Sequence, residues 1–532
     1  MARILVAEAI AQPGRDLLTA AHDTAVRLGL SRADLLAALG EDGGWDALVV
    51  RSQTRVDREL LAAAAPRLSV VGVASVGTDR IDLAAATHAG VMVVNAPTGN
   101  TVAAAEHTMA LMLALLRRIP SADASVRRGE WERARYVGAE LRHRTLGIIG
   151  LGKIGKALAR RAAAFEMRVI AHDPFLTADQ ATEHSARLVG LPELLTRADV
   201  ISVHVPLTPK TRGLIGVAQI EAMKPGAVLL NVARGGLVDE SALAAALRSG
   251  HLGGAAVDVF SAEPMAADNP LRDAPSTILT PHLGASTAEA QDRVGVEMAE
   301  QLLLALSGVT PPYAVNAPSI ALEVAPQLRP YVDVGRRLAI LARQLATQPH
   351  DRVAIGYAGE IAAWDGAPIR AAVLAGLLEP VTEQRVNAVN ADIVARERGL
   401  TVDEQRTDAA EPWTSLVSLE MGEGDGRVAL TGSSAHGRPR LAGLGDFAID
   451  AELAGTILVT RHHDQPGIVG AVGMALAEAG VNISSLELSR LSAAGEALMF
   501  VSVDQPIAEA VLDRLRAVPG MVDARVVELP PI

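Results

Sequence analysis

The chain reads as an α/β protein. It has two successive doubly wound parallel series, then an α+β segment, then a terminal module of alternating strands and helices. Three observations predict this. Short apolar strands alternate with amphipathic helical stretches through the first half of the chain. A glycine-rich turn, Gly150-Leu151-Gly152-Lys153-Ile154-Gly155, follows one such strand and opens a helix. The stretch 453–532 runs strand, helix, strand, strand, helix, strand.

The first series sets strands at residues 3–7, 47–50, 70–73 and 91–95. A long apolar helix, about 103–116, follows Asn95-Ala96-Pro97 and crosses to the second series. There the strands fall at 145–150, 168–172, 200–204, 228–232 and 255–259, and a helix at about 287–306 leads back. Pro311, Pro312 and Pro318 mark a boundary. Beyond it, helical runs give way to strands at 415–420 and 427–432 around a turn at 422–426, and 437–445 reads as loop. The divisions expected are 1–97, 98–284, a return segment 285–317, then 318–452 and 453–532. No short-period repeat of the solenoid kind is visible.

At 532 residues the chain is too long for one core. Although 49% of it is apolar, no run reaches bilayer length, so no membrane partner is expected. A strand begins just after Met1, without the pattern of a secretion signal. Cysteine is absent, which excludes disulfides, thiolate metal ligands and a cysteine nucleophile, and fits the cytoplasm. The net charge of −12 is spread without blocks, which argues against nucleic acid as a partner. An acidic protein that binds an acid must place single arginines with care. No metal site is expected.

In the glycine-rich turn, Gly150 permits the tight bend, Gly152 lets a pyrophosphate approach, and Gly155 allows close helix packing. The helix N-terminus offers free N–H groups to phosphates. Alone the pattern also fits a plain structural turn. Context strengthens it, because the strand at 168–172 ends at Asp173, where a carboxylate accepts ribose hydroxyls and repels a 2′-phosphate. That favours NAD over NADP, although Asp173 before Pro174 also reads as a helix cap.

Three segments follow with one chemically apt residue each. Arg234 stands in Asn231-Val232-Ala233-Arg234-Gly235-Gly236, Glu263 before Pro264, and His282 after Pro281. Singly they read as a strand-end arginine, a solvated turn and a loop histidine. Together they lie where strands of the second series run out, and ligands bind outside such strand ends. A guanidinium to grip a carboxylate, an imidazole to exchange a hydroxyl proton, and a carboxylate to orient and charge the imidazole are the needs of hydride exchange with a 2-hydroxy acid.

These motifs resemble the D-isomer-specific 2-hydroxyacid dehydrogenases, and within them a long, four-domain branch, over nearly the whole chain. The likeness is most specific at 150–155, at Asn-Val-Ala-Arg-Gly-Gly-Leu-Val-Asp-Glu (231–240) and at 281–292. It implies two Rossmann-like domains, one binding substrate (1–97, with 285–317) and one binding NAD (98–284). It also implies an intervening regulatory domain (318–452) and a βαββαβ ACT domain (453–532). The branch oxidises 3-phospho-D-glycerate to 3-phosphohydroxypyruvate with NAD, the first step of the phosphorylated serine pathway. Sister enzymes act on glyoxylate, hydroxypyruvate or 2-oxoglutarate and usually lack the two extra domains; some proteins of this fold are NAD-sensing scaffolds.

Carried over by resemblance, Arg234, Glu263 and His282 are catalytic. Gly150, Gly152, Lys153, Ile154, Gly155, Asp173, Val232, Ala233, Asp258, Gly284 and Ala285 meet NAD. Arg51, Ser52, Ser75, Gly77, Asn100 and Thr101 stand at substrate positions, and Arg133 and Arg135 in a stretch that reaches a neighbouring subunit's site. Where many members read Arg-Ala-Gly-Val-Gly, this chain has Val73-Ala74-Ser75-Val76-Gly77. That shifts the expected phosphate contact onto Arg51 and onto Arg133 or Arg135. In the last domain, Arg461-His462-His463-Asp464-Gln465-Pro466-Gly467 and Gly480-Val481-Asn482-Ile483 carry the likeness. They imply L-serine as effector, with His462, Asp464 and Asn482 at the family positions, and a homotetramer. Arg438-Pro439-Arg440 reads as a basic, solvated loop.

Overall fold

The computed structural model describes residues 1–532 except 42, 322, 380, 381, 383, 384 and 532, and the side chain of Asp425. Its strands form four sheets. The first holds β1 (Arg3–Val6), β2 (Asp23–Val26), β3 (Ala47–Val50), β4 (Val70–Val73) and β5 (Met92–Asn95) in the order β2-β1-β3-β4-β5, all parallel. Ala47–Val50 and Val70–Val73 are buried at every position, which explains their unbroken apolar runs. The edge strand β2, half polar and largely outside the core, carries no such signal and escapes a sequence reading.

The helix Ala288–Leu306 returns to this sheet. Its Met298 and Leu302 lie so close to Gly72 that a Cβ there would sit 2.6 and 2.7 Å from them. Val94 bridges Ala314, and the Val93 N–H donates to Asn316 Oδ1 at 2.8 Å. The chain after the returning helix is thereby sewn onto the first sheet.

The second sheet is parallel throughout its seven strands: β6 (Thr145–Ile149), β7 (Arg168–His172), β8 (Arg187–Leu188), β9 (Val200–Val203), β10 (Val228–Asn231), β11 (Gly254–Val257) and β12 (Thr277–Leu279). They run β12-β11-β10-β9-β6-β7-β8, so the order reverses beside β6, where the glycine-rich turn begins. The apolar helix Thr101–Leu116 packs against the helix Lys153–Ala164 and links the two parallel sheets.

The third sheet is mixed. β13 (Arg352–Gly359) pairs parallel with β14 (Thr401–Thr407) and antiparallel with β15 (Ser415–Met421). β16 (Val428–Ala435), β17 (Arg438–Leu444) and β18 (Phe447–Glu452) continue it as a meander. The expected loop at 437–445 is therefore a strand, and Arg438 and Arg440 are strand residues paired with Glu452 and Asp450. Pro439, Leu441 and Gly443 alternate inward, but the glycines and the proline mask that period. The glycines have a cause. The ladder shifts register at Thr431/Gly432 and Leu441/Gly443, and a Cβ on Gly443 would sit 2.6 Å from Thr431 Oγ1.

The fourth sheet orders β19 (Gly455–His463), β20 (Ile483–Arg490), β21 (Glu496–Val503) and β22 (Met521–Leu529) as β20-β21-β19-β22, with two helices on one face. Its inner residues Ile457, Val459, Phe500 and Val527 share one apolar cluster with Val353, Leu419 and Leu430 of the third sheet. The helix Ala325–Leu345 contacts strands of both. Among the described residues no helix is long and apolar enough to cross a membrane.

Candidate active site

The seven parallel strands of the second sheet end on the same edge, and four of those ends deliver residues singled out above. β6 runs into Gly150, β7 into Asp173, β10 into Val232, Ala233 and Arg234, and β11 into Asp258. Gly150 turns at φ 93°, a conformation that suits glycine alone. A Cβ on Gly155 would lie 2.3 Å from the Gly150 carbonyl oxygen, so the helix seats directly on the turn. At Gly152 a Cβ would meet nothing within 4 Å, and no side chain caps that helix. Open space faces unsatisfied N–H groups there, which is the cradle a pyrophosphate needs. Asp173 receives the N–H groups of Leu151 and Phe175 at 2.9 and 3.0 Å, which fix its carboxylate beside the cradle. Lys153 at the helix start lies over the Tyr313 ring, 5.2 Å from its centre.

A cavity of about 800 Å³ opens between the two parallel sheets. Arg234, Glu263 and His282 line it from the second, while Arg51, Ser75 and Asn100 line it from the chain around the first. His282 Nδ1 and Glu263 Oε2 are 2.8 Å apart. That bond, over the opposing effect of burial, holds the imidazole above its ordinary pKa. Burial pushes the Glu263 carboxyl up, but hydrogen bonds from His282 and the Phe260 N–H outweigh it and keep the group ionised.

His282 occupies the left-handed region at φ 57°, and Asp258 holds it there. The His282 N–H donates to the Asp258 carbonyl at 2.9 Å. The Leu283 and Gly284 N–H groups donate to the two Asp258 carboxylate oxygens at 2.8 and 2.9 Å. His107 and Thr280 also bond this fully buried carboxylate. Asp258 thus anchors the histidine loop.

Arg234 is aimed by its neighbours. Its Nε meets Asp79 Oδ2 at 3.0 Å, and its Nη1 donates to the Ala233 carbonyl at 2.8 Å. Asp79 sits on the first-sheet side of the cavity, so this pair spans the cleft, and a sequence reading had no signal for it. Two glycines make the approach possible. A Cβ on Gly77 would lie 2.2 Å from Arg234 Nη2, and one on Gly235 would lie 1.9 Å from the Phe260 carbonyl oxygen. Asn100 Oδ1 is buried, has no hydrogen-bond partner among the described residues, and its residue lines the cavity. An unpaired buried acceptor at this place suits a ligand donor.

Ser52, Gly77 and Ala285 also line the cavity, whereas Thr101 begins the helix beside it. Arg133 and Arg135 lie on an exposed short helical turn, Arg133–Tyr136, away from the cavity of their own chain. Val73 is 1% exposed and packs in the core beside Val50 and Val71. The histidine and aspartate at the end of β19 stand far from Asn482, which precedes β20 at the opposite end of the sheet. His462 is buried, Asp464 meets Arg490 at 2.9 Å, and Asn482 donates to Asp504 at 2.6 Å.

Known proteins match this architecture along its length. Residues 109–284 match the family described as D-isomer specific 2-hydroxyacid dehydrogenase, NAD binding domain. Residues 327–444 match the D-3-phosphoglycerate dehydrogenase intervening domain, and 456–520 the ACT domain. The D-3-phosphoglycerate dehydrogenase of Synechocystis sp. is 39% identical over 99% of this chain and 95% of its own. That of Archaeoglobus fulgidus is 38% identical over 99% of this chain and 100% of its own. The chain belongs to the D-3-phosphoglycerate dehydrogenase family.

Membership makes it an NAD-dependent dehydrogenase of the 2-hydroxyacid class. A solved D-lactate dehydrogenase of Aquifex aeolicus, complexed with NAD and lactic acid, is similar over 59% of this chain and 100% of its own. The TM-score is 0.53 at 28% identity. The intervening and ACT matches coincide with the third and fourth sheets.

Proposed function

We propose that this chain oxidises 3-phospho-D-glycerate to 3-phosphohydroxypyruvate with NAD, and that L-serine regulates it through the ACT domain. One observation carries the catalytic part: the His282–Glu263 pair, 2.8 Å apart, shares the cavity with Arg234. Glu263 occupies Nδ1 and leaves Nε2 to the substrate hydroxyl, whose proton His282 accepts as general base. Arg234 binds the substrate carboxylate and holds the hydroxyl-bearing carbon in place. The bound NAD supplies the hydride acceptor. Gly150, Gly152, Lys153, Ile154 and Gly155 hold its pyrophosphate and Asp173 its ribose. Val232, Ala233, Asp258, Gly284 and Ala285 border its nicotinamide end. Arg51, Ser52, Ser75, Gly77, Asn100 and Thr101 form the substrate wall.

Serine regulation draws on the ACT match and on His462, Asp464 and Asn482. Because Asn482 lies at the far end of the sheet from Asp464, one chain alone does not assemble the three. A site shared between two copies does, and Val469, Met474 and Leu488 expose apolar surface on the same module. A homotetrameric, cytoplasmic enzyme accommodates this reading, with Arg133 and Arg135 turned toward a neighbouring subunit.

The test is NADH formation with 3-phosphoglycerate beside lactate, glycerate and 2-hydroxyglutarate, with and without serine. The expected result is turnover of 3-phosphoglycerate, diminished by serine. Turnover of another acid in preference overturns the substrate assignment, and indifference to serine overturns the regulatory one.

A further inference from the structure

We propose that Arg80 receives the distal anionic group of the substrate and thereby sets the preference for a phosphorylated acid. The proposal rests on the substrate reading above and deepens it by one residue. A phosphorylated 2-hydroxy acid carries charge at both ends, about −1.5 to −2 of it on the phosphate. A second cation must therefore face the cavity, apart from the one that holds the carboxylate. Among the described residues the cavity is lined by three arginines: Arg51, Arg80 and Arg234.

Arg234 stands with the catalytic pair and already meets Asp79. The carboxylates lining the cavity, Asp79 and Glu263, are both taken, by Arg234 and by His282. Arg51 and Arg80 remain, and neither guanidinium has a hydrogen bond or ion pair with the described residues.

The two differ in what surrounds them. Beside Arg51, the N–H groups of Ser52, Gln53 and Thr54 converge on the Glu8 carboxylate at 3.1, 3.2 and 2.7 Å. The chain's own carboxylate thus fills that anion nest, so the backbone donors beside Arg51 are already spent. Among the described residues no carboxylate bonded in this way by backbone N–H groups alone lines the cavity beside Arg80. Its neighbour Asp79 is engaged across the cleft, and Asp82 caps the next helix through the Ala85 N–H.

The Arg80 backbone is also pinned. Its carbonyl accepts the Val56 N–H at 2.9 Å, the Ile81 N–H donates to Thr78, and the Asp82 N–H returns to Val56 at 2.8 Å. A fixed Cα carrying an exposed, unpaired guanidinium on a cavity wall suits an anion that arrives with substrate. Val73 contributes no charge from the core, and Arg133 and Arg135 lie outside this chain's cavity.

The experiment compares kcat/KM for 3-phospho-D-glycerate with that for D-glycerate in the full-length enzyme, its Arg80→Ala and Arg80→Lys variants, and an Arg133→Ala/Arg135→Ala double variant. Removal of a hydrogen bond to a charged group predicts that Arg80→Ala lowers this ratio about ten- to hundredfold. Arg80→Lys restores part of it, and the double variant lowers it less than Arg80→Ala does. Should Arg80→Ala fail to fold, Arg80→Gln, which keeps the polar stem, carries the same comparison. A phosphate preference that survives Arg80→Ala, or falls further in the double variant, overturns the role of Arg80 and leaves the substrate reading standing. A wild-type enzyme with no preference for the phosphorylated acid overturns the substrate reading itself.

Discussion

At the scale of single residues, the proposed chemistry turns on how one carboxylate changes one imidazole. Glu263 raises the His282 pKa through a direct hydrogen bond, against burial, which lowers it. In the proposed mechanism the oxidation needs neutral His282, because only the free base accepts the hydroxyl proton. Activity in that direction therefore rises with pH through a pKa lying above the ordinary histidine value. Glu263→Gln removes the charge and lowers that pKa, so the acid limb of the kcat/KM profile moves to lower pH, while the plateau falls because the ring is less firmly oriented. His282→Ala removes the base and lowers kcat by about 10²–10⁴-fold. Its effect on NAD affinity is far smaller, since the glycine cradle is remote from the ring. A pH profile of Glu263→Gln that overlays the wild type would show that the carboxylate does not tune the base. The three catalytic candidates were legible as residue types at strand ends. Asp79 was not, because its partner Arg234 lies across a cleft that only the fold closes.

At the scale of elements, two loops must come nearly into contact for the site to exist, and glycine is the means. Gly235 brings the Arg234 loop against the Phe260 carbonyl, and Gly77 brings the first-sheet loop against the Arg234 guanidinium. The two predict different failures. A methyl on Gly235 meets backbone that cannot yield, so Gly235→Ala destabilises the protein by about 1–3 kcal/mol and disables the site with it. A methyl on Gly77 meets only side-chain ends, the Arg234 guanidinium and the Asp79 carboxylate, so Gly77→Ala leaves the melting temperature nearly unchanged. It displaces the guanidinium, and a shift of roughly 1 Å costs on the order of 10²-fold in kcat/KM. Thermal melts beside kinetics separate the two, and equal loss of stability in both variants would contradict the distinction.

Elements also show where sequence reading stops. Buried parallel strands announced themselves by unbroken apolar runs, as in β3 and β4. β17 stayed hidden because the glycines that permit its register shifts are the residues that mark loops. β14 stayed hidden because Thr401–Thr407 is mostly exposed and polar, an edge held by its pairing with β13.

At the scale of the whole molecule, the four sheets do not behave as four independent bodies. The third and fourth share an apolar cluster, and one buried cation ties them. Arg337, in the helix Ala325–Leu345, is 5% exposed. Its Nε meets Asp333 at 2.8 Å, its Nη1 meets the Leu453 and Pro530 carbonyls at 2.8 and 2.5 Å, and its Nη2 meets the Pro531 carbonyl at 3.0 Å. Leu453 joins the third sheet to the fourth, and Pro530 and Pro531 follow the last strand, so one guanidinium gathers both ends of the ACT module onto the preceding helix. Guanidinium suits this task, because its planar fork serves several acceptors at once where an ammonium does not. Arg337→Ala leaves three carbonyls and a carboxylate without their donor, at a cost of about 2–5 kcal/mol to the C-terminal pair. The catalytic half draws its stability from the separate clusters around the two parallel sheets. Calorimetry should then show the C-terminal transition moving down in temperature while the transition stabilised by NAD stays in place. Turnover without effector should persist, and any response to serine should weaken, because the module that reports it has lost its tether. A single transition that moves as one would instead mean that all four sheets unfold together.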